Sequence, residues 1–145
     1  MVLPINESME LAGSLRTVLI RLARELRREI HSLGVTSGQV SVLVAIDQTP
    51  GITASTLADR EHISAAAMSG QLKQLESAGL ITRERATDRR RVGVTITRDG
   101  TRVLRSVRQK RTAWLTQRLA GLTPVEREAI ERAIEPLEKL LRGVE

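Results

Sequence analysis

The sequence predicts a mainly α-helical fold with one small β-hairpin, and three observations predict it. Apolar residues recur at three- and four-residue steps through long stretches near both ends of the chain. Two short helical patterns, each opened by a capping residue, stand close together in the middle. Directly after them, two alternating apolar runs at 80–85 and 92–96 flank the charged tip Ala-Thr-Asp-Arg-Arg-Arg.

From about Asn6, the positions Leu15, Val18, Leu19, Leu22, Leu26, Ile30 and Leu33 form one stripe, interleaved with Arg16, Arg21, Arg24, Glu25, Arg27, Arg28 and Glu29. This predicts a long amphipathic helix stopped at Gly34. Its stripe exceeds what a small domain needs, so a partner helix is expected. Thr36 and Gln39 form a capping-box pattern. The helix they open is predicted to run to about Asp47 and to bury Val40, Leu43, Val44 and Ile46.

Pro50-Gly51 breaks the chain, and Ile52 can add a very short strand. Thr53 caps a third helix and Ser64 a fourth, which ends at Gly79. His62 is placed in the turn between them. In the hairpin Ile81 faces in and Thr82 out, with Val92, Val94 and Ile96 alternating on the return strand. Asp99-Gly100 is read as its end, followed by a long helix with Val103, Leu104, Val107, Trp114, Leu115 and Leu119 on its apolar side. Thr123-Pro124-Val125-Glu126 opens a last helix, with Pro at its first position and Glu at its third. Pro136 is expected to kink it.

The 145 residues make one domain, with a lobe at 36–100 and helical regions at 6–34 and 101–145. Apolar residues are 41% of the chain, yet it holds one Trp and neither Tyr nor Phe. The core must therefore come from Leu, Val, Ile and Ala. Cysteine is absent, which excludes disulfides, thiolate zinc sites and thiol redox sensing. His31 and His62 lack neighbours at metal-ligand spacing, so no metal and no cofactor are expected. His31 is expected to meet carbonyls at the end of the first helix. Trp114 is expected to pack in the core or a dimer seam. No Gly-rich phosphate loop, nucleophile elbow or triad-like set is present, which argues against an enzyme. No secretory leader pattern and no apolar run of about 18 residues occurs, so a cytoplasmic chain without a membrane partner is expected.

Net charge is +6 and the isoelectric point about 11.1. The excess is concentrated: eleven basic residues lie between Arg83 and Arg111, opposed by Glu84, Asp88 and Asp99, whereas acids outnumber bases six to four from Thr123 onward. A surface serving only solubility would mix its signs, so this polarity points to a polyanion. Base-stacking platforms for single strands or RNA are missing, because they need aromatic residues. Duplex DNA is the partner expected.

In the fourth helix Ile63, Met68, Leu72 and Leu75 are expected to pack inward. Ala65, Ala66, Ser69, Gly70 and Lys73 are expected to face outward. Small side chains let such a helix enter a major groove about 12 Å wide. Ser69 and Gln71 can bond base edges, and Lys73 a base or a phosphate. Arg85 and the tip residues Asp88, Arg89, Arg90 and Arg91 complete the DNA-facing set. Arginine suits a narrow minor groove. Asp88 repels phosphate, so it is read as an internal brace of the tip.

The run Asp88-x-Arg90, then Val94-x-Ile96-Thr97-x-x-Gly100, resembles the wing signature of the MarR family of winged helix-turn-helix repressors. Leu75-Glu76 through Gly79-Leu80-Ile81, followed by Arg83, is similar to that family's end of the recognition helix. The resemblance covers nearly the whole chain. It implies a homodimer with interlocked first and last helices, a pseudo-palindromic operator, and release by a small lipophilic or phenolic effector. It implies that Arg90 enters the minor groove with Asp88 bracing it, and that Ser64, Ala66, Ala67 and Ser69 meet DNA. The chain departs from the pattern at Gly70, where many members carry Arg. Two rivals stay open: a non-specific architectural duplex-binding protein, and a helical adaptor whose basic face meets an acidic protein.

Overall fold

The computed structural model describes residues 4–85 and 92–143. Six α-helices run in chain order: α1 (Ile5–Arg28), α2 (Ser37–Gln48), α3 (Ala54–Glu61), α4 (Ala65–Ser77), α5 (Arg98–Ala120) and α6 (Pro124–Arg142). A short 3-10 helix, His31–Leu33, follows α1. Strands β1 (Ile52–Thr53), β2 (Ile81–Arg85) and β3 (Val92–Ile96) form an antiparallel sheet in the order β1-β3-β2. Register places Ile52 opposite Val94, and Ile81 opposite Ile96. The chain divides into two compact units, one ending at Arg111 and the other starting at Thr112.

The helix starts follow from their caps. At α2, Thr36 Oγ1 accepts from the Gln39 N–H at 3.1 Å, and Gln39 Oε1 accepts from the Thr36 N–H at 3.0 Å. Thr123 and Glu126 repeat this exchange at α6 at 3.2 and 3.0 Å. Hydrogen bonding to the carboxyl from Thr123, its backbone N–H first and its side chain second, holds Glu126 below the ordinary glutamate value. Pro136 sits inside α6 without ending it. Its missing N–H leaves one carbonyl on an exposed helix, where water can serve.

The core belongs to the first unit. It joins Ile30 and Val35 to Val40, Leu43 and Ile46 of α2, Leu57 of α3, and Met68, Leu72 and Leu75 of α4, closed by Ile81, Val94, Leu104 and Val107. Burying side chains of this kind is worth about 1.5–3 kcal/mol each, which makes this cluster the main source of stability. In the second unit Trp114 is half-buried, and the Arg118 guanidinium lies 5.1 Å from its ring centre.

Three expectations need correction. The first helix ends at Arg28, six residues before Gly34, because a turn and the 3-10 helix take over. In α2, Val44 is exposed, while Val42 and Ala45 are buried beside Val40, Leu43 and Ile46. The last hairpin residues do not include Asp99-Gly100, which lie in the first turn of α5. Gly100 is buried there against the Leu80 carbonyl, so close that a Cβ would collide with it.

Candidate nucleic-acid interface

The α3–turn–α4 pair is built around His62. It caps α3 in the left-handed region at φ 54°, and its N–H donates to the Asp59 carbonyl at 3.3 Å. Ile63, half-buried, packs on the core and donates its N–H to the Ala58 carbonyl at 3.1 Å. Ser64 Oγ then accepts from the Ala67 N–H at 3.1 Å and starts α4. Its hydroxyl hydrogen stays free to donate.

Helix α4 sorts its residues as its period requires. Met68, Leu72 and Leu75 are buried. Ala65, Ala66, Ala67, Gly70 and Lys73 are exposed, and Ser69 is half-exposed at the edge of that face. The structure therefore brings seven of the expected residues, Ser64, Ala65, Ala66, Ala67, Ser69, Gly70 and Lys73, onto the solvent side of one helix. A surface of this kind has little bulk at its start and a cation at its end.

Gln71 does not join that face freely. It is half-buried, its Oε1 lies out of solvent without a hydrogen-bond partner, and its Nε2 stands beside Gly38 at the start of α2. Gln74, next along, accepts from Gln39 Nε2 at 3.2 Å. The Gln39–Gln74 bond ties α4 to α2, and a base contact by the half-buried Gln71 requires its amide to turn outward.

On the other side α4 meets the hairpin. Arg83 Nε stands 3.9 Å from Glu76 Oε2, and its Nε and Nη2 are buried without hydrogen-bond partners among the described residues. Thr82 and Thr95 share a cross-strand hydroxyl bond at 2.8 Å. Arg85 ends β2; Asp88, Arg89, Arg90 and Arg91 lie outside the described residues.

The Thr97-x-x-Gly100 signature has a physical reason here. Thr97 Oγ1 donates to the Gly79 carbonyl at 2.6 Å and accepts from the Gly100 N–H at 3.1 Å. The Thr97 N–H donates to the Leu80 carbonyl at 3.0 Å. One threonine thus ties the end of α4 to the start of α5, with a glycine making room. Reading the sequence alone missed this brace and the part played by Arg83. The signal for the first was a threonine three residues before a glycine, a helix-capping spacing.

Around the end of α1, Arg27, His31, Gly34, Val35, Thr36, Ser37 and Gly38 line a cavity of about 490 Å³. Arg111 Nη2 donates to Ser37 Oγ at 3.5 Å, and its Nε is buried without a partner among the described residues. His31 is exposed here, three residues past the end of α1 rather than in its last turn. Among the described residues no cluster of His, Asp or Glu is fit to hold a metal, and no helix is long and apolar enough to cross a membrane.

Comparison with known proteins agrees with this arrangement. The MarR family model matches residues 35–92, which span α2 to the start of β3. A crystal structure from Pseudomonas aeruginosa, assigned as a transcriptional regulator, is 34% identical. It covers 98% of this chain and all of that one, with a TM-score of 0.82. An HTH-type transcriptional regulator of Mycobacterium leprae, uncharacterised, is 28% identical over 94% of this chain and 96% of its own length. A MarR family protein of Mycobacterium tuberculosis, solved in complex with p-aminosalicylic acid, is 27% identical, covering 86% of this chain and 98% of that one at a TM-score of 0.63. The fold, the capped helix pair with its hairpin, and these relatives agree: the chain belongs to the MarR family of transcriptional regulators.

Proposed function

We propose that this regulator reads a pseudo-palindromic operator as a homodimer and represses the genes beside it. One observation carries the reading: the exposed, low-bulk face of α4, from Ser64 to Lys73, held on a buried apolar core. A helix face of this profile fits a major groove. The unpaired N–H groups of its first turn suit a phosphate. Arg90, flanked by Arg89 and Arg91, enters the neighbouring minor groove, with Asp88 as its brace. Two copies then meet half-sites about 34 Å apart. The apolar residues of α1 and α6 supply the dimer contact. Val18, Leu19, Ile134 and Leu140 are all at least 45% exposed in the single chain.

An effector fits the cavity at the end of α1. Arg27 and His31 on its wall suit an ionised phenol or carboxylate, and the M. tuberculosis relative holds an aromatic acid. Occupation there shifts the equilibrium between protein forms only by its differential affinity for them, and so lowers DNA affinity.

Selection of bound sequences from a random duplex pool tests the reading. An inverted repeat with half-sites one turn apart is expected. Bound duplexes without a consensus would favour an architectural protein instead. Absence of binding even at low salt would favour the adaptor. Sedimentation at micromolar concentration is expected to give a dimer, and a stable monomer would refute the assembly.

A further inference from the structure

Helix α5 carries a charge pattern that its own stability does not explain. Between Arg98 and Arg111 six residues are basic and only Asp99 is acidic. Arg98, Arg102, Arg105 and Arg108 follow one another at steps of four, three and three, and all are exposed. Gly100, Leu104 and Val107, on the opposite side, are buried. Like charges at these spacings repel along a helix, and Arg98 sits at the helix N-terminus, where the backbone dipole disfavours a cation.

Neutralisation among the described residues is slight. Arg102 pairs with Asp99 at 2.9 Å. Among the described residues Arg98, Arg105 and Arg108 form no ion pair. Helix α6 shows the contrast. Its Arg132, Lys139 and Arg142 each face a glutamate one turn away. Arg111 falls outside the stripe, half-buried and bonded to Ser37.

The stripe is also fixed in place. Thr97 and Gly100 tie the first turn of α5 to Gly79 and Leu80 at the end of α4, and Thr97 directly follows β3. From Arg98 to Arg108 the helix rises about 15 Å, the axial length of about four phosphates of one strand.

We propose that this α5 stripe is a second phosphate-tracking surface, which holds duplex DNA flanking the sequence that α4 and the hairpin read. It rests on the DNA-reading function proposed above, and extends the footprint beyond it. The partner is a polyanion because the face is cationic without apolar or aromatic anchors. It is duplex DNA because the stripe is continuous, through Thr97, with the elements already assigned to DNA.

The test compares two duplexes. One is the sequence recovered by selection; the other is that sequence lengthened at each end by about one and a half helical turns of unrelated sequence. The unaltered protein is expected to bind the longer duplex about tenfold more tightly at low salt. Each arginine meeting a phosphate steepens the salt dependence by about 0.9, so three per protomer add up to about 5 in a dimer. The variant R98Q/R105Q/R108Q, altered only at exposed positions, is expected to lose that difference and to bind the short duplex as before. Its folding is checked by thermal unfolding. Equal binding of both duplexes by the unaltered protein would overturn the proposal and leave the stripe to an acidic protein surface. A loss by the variant as large on the short duplex as on the long one would also overturn it, placing these arginines inside the core site. Failure to recover any bound duplex would remove the DNA-reading function, and this extension with it.

Discussion

Replacing Gly70 by alanine is expected to move stability and DNA affinity in opposite directions. Gly70 lies in the middle of α4 and is exposed; apart from its neighbours and its own helix backbone, no heavy atom of the described residues lies within 4 Å of where a Cβ would stand. Its φ is not positive, so neither conformation nor packing calls for glycine. In a helix interior glycine costs about 0.8–1.0 kcal/mol relative to alanine. Gly70→Ala should therefore raise the unfolding midpoint by roughly 2–4 °C in a chain of this size. If the α4 backbone approaches base edges there, the added methyl holds the helix off the groove floor. A tenfold loss of operator affinity, about 1.4 kcal/mol, is then expected. Thermal unfolding by circular dichroism and a fluorescence titration on the selected duplex measure the two effects. A raised midpoint with unchanged affinity would refute the placement of this face in the groove.

Arg90→Ala should weaken operator binding and flatten its salt dependence by about 0.9 for each phosphate no longer neutralised, read from affinities across a salt series; unchanged affinity and slope would remove Arg90 from the interface. Changing Ser69 should alter sequence preference more than non-specific affinity, and a uniform weakening across sequences would contradict base readout. Gly100→Ala should cost about 1–3 kcal/mol in chemical denaturation, because the Leu80 carbonyl occupies the space of the new methyl. The Glu126 carboxyl is held below its usual value of 4.5, so its capping contribution is complete above that pH and disappears as pH falls through the lowered value. An acid titration of stability should show this decline, and Glu126→Ala should lack it.

Local chemistry was legible where it acts within a few residues. The Thr36–Gln39 and Thr123–Glu126 boxes and the Ser64 cap each close a bond over three positions, so residue type and spacing suffice. The α4 face was legible because Met68, Leu72 and Leu75 mark its inner side unambiguously. The end of α1 was not. A 3-10 turn also returns every third residue to the same side, so Ile30 and Leu33 prolong the apolar rhythm after the α-helix has stopped. Helix α2 misled for another reason. It packs against both α3 and β3, and the wide buried arc this requires takes in Val42 and Ala45 and leaves Val44 outside. Gln71 and Gly100 depend on neighbours distant in sequence, Gly38 and Leu80, which no local pattern names.

The apolar surface left by the single chain bears directly on how a small protein of this kind gains specificity. None of the 24 residues of α1 and none of the 19 of α6 is buried, although both helices carry apolar stripes. A half-exposed Leu, Ile or Val gains about 1 kcal/mol when it is covered. Twelve large apolar side chains on these two helices are exposed, so a pairing of two protomers that covered them all would yield on the order of 20 kcal/mol gross. That exceeds the roughly 4–15 kcal/mol that association costs, which supports the homodimer proposed above. The consequence reaches the DNA. One α4 face offers Ser69, Lys73 and a few small neighbours, too little chemistry to separate one site among many. In the proposed dimer, a second copy held at a fixed spacing would make the next half-site encounter intramolecular, multiplying the discrimination of each half without adding a residue. On the proposed function, the apolar helices would set the specificity as much as α4 itself.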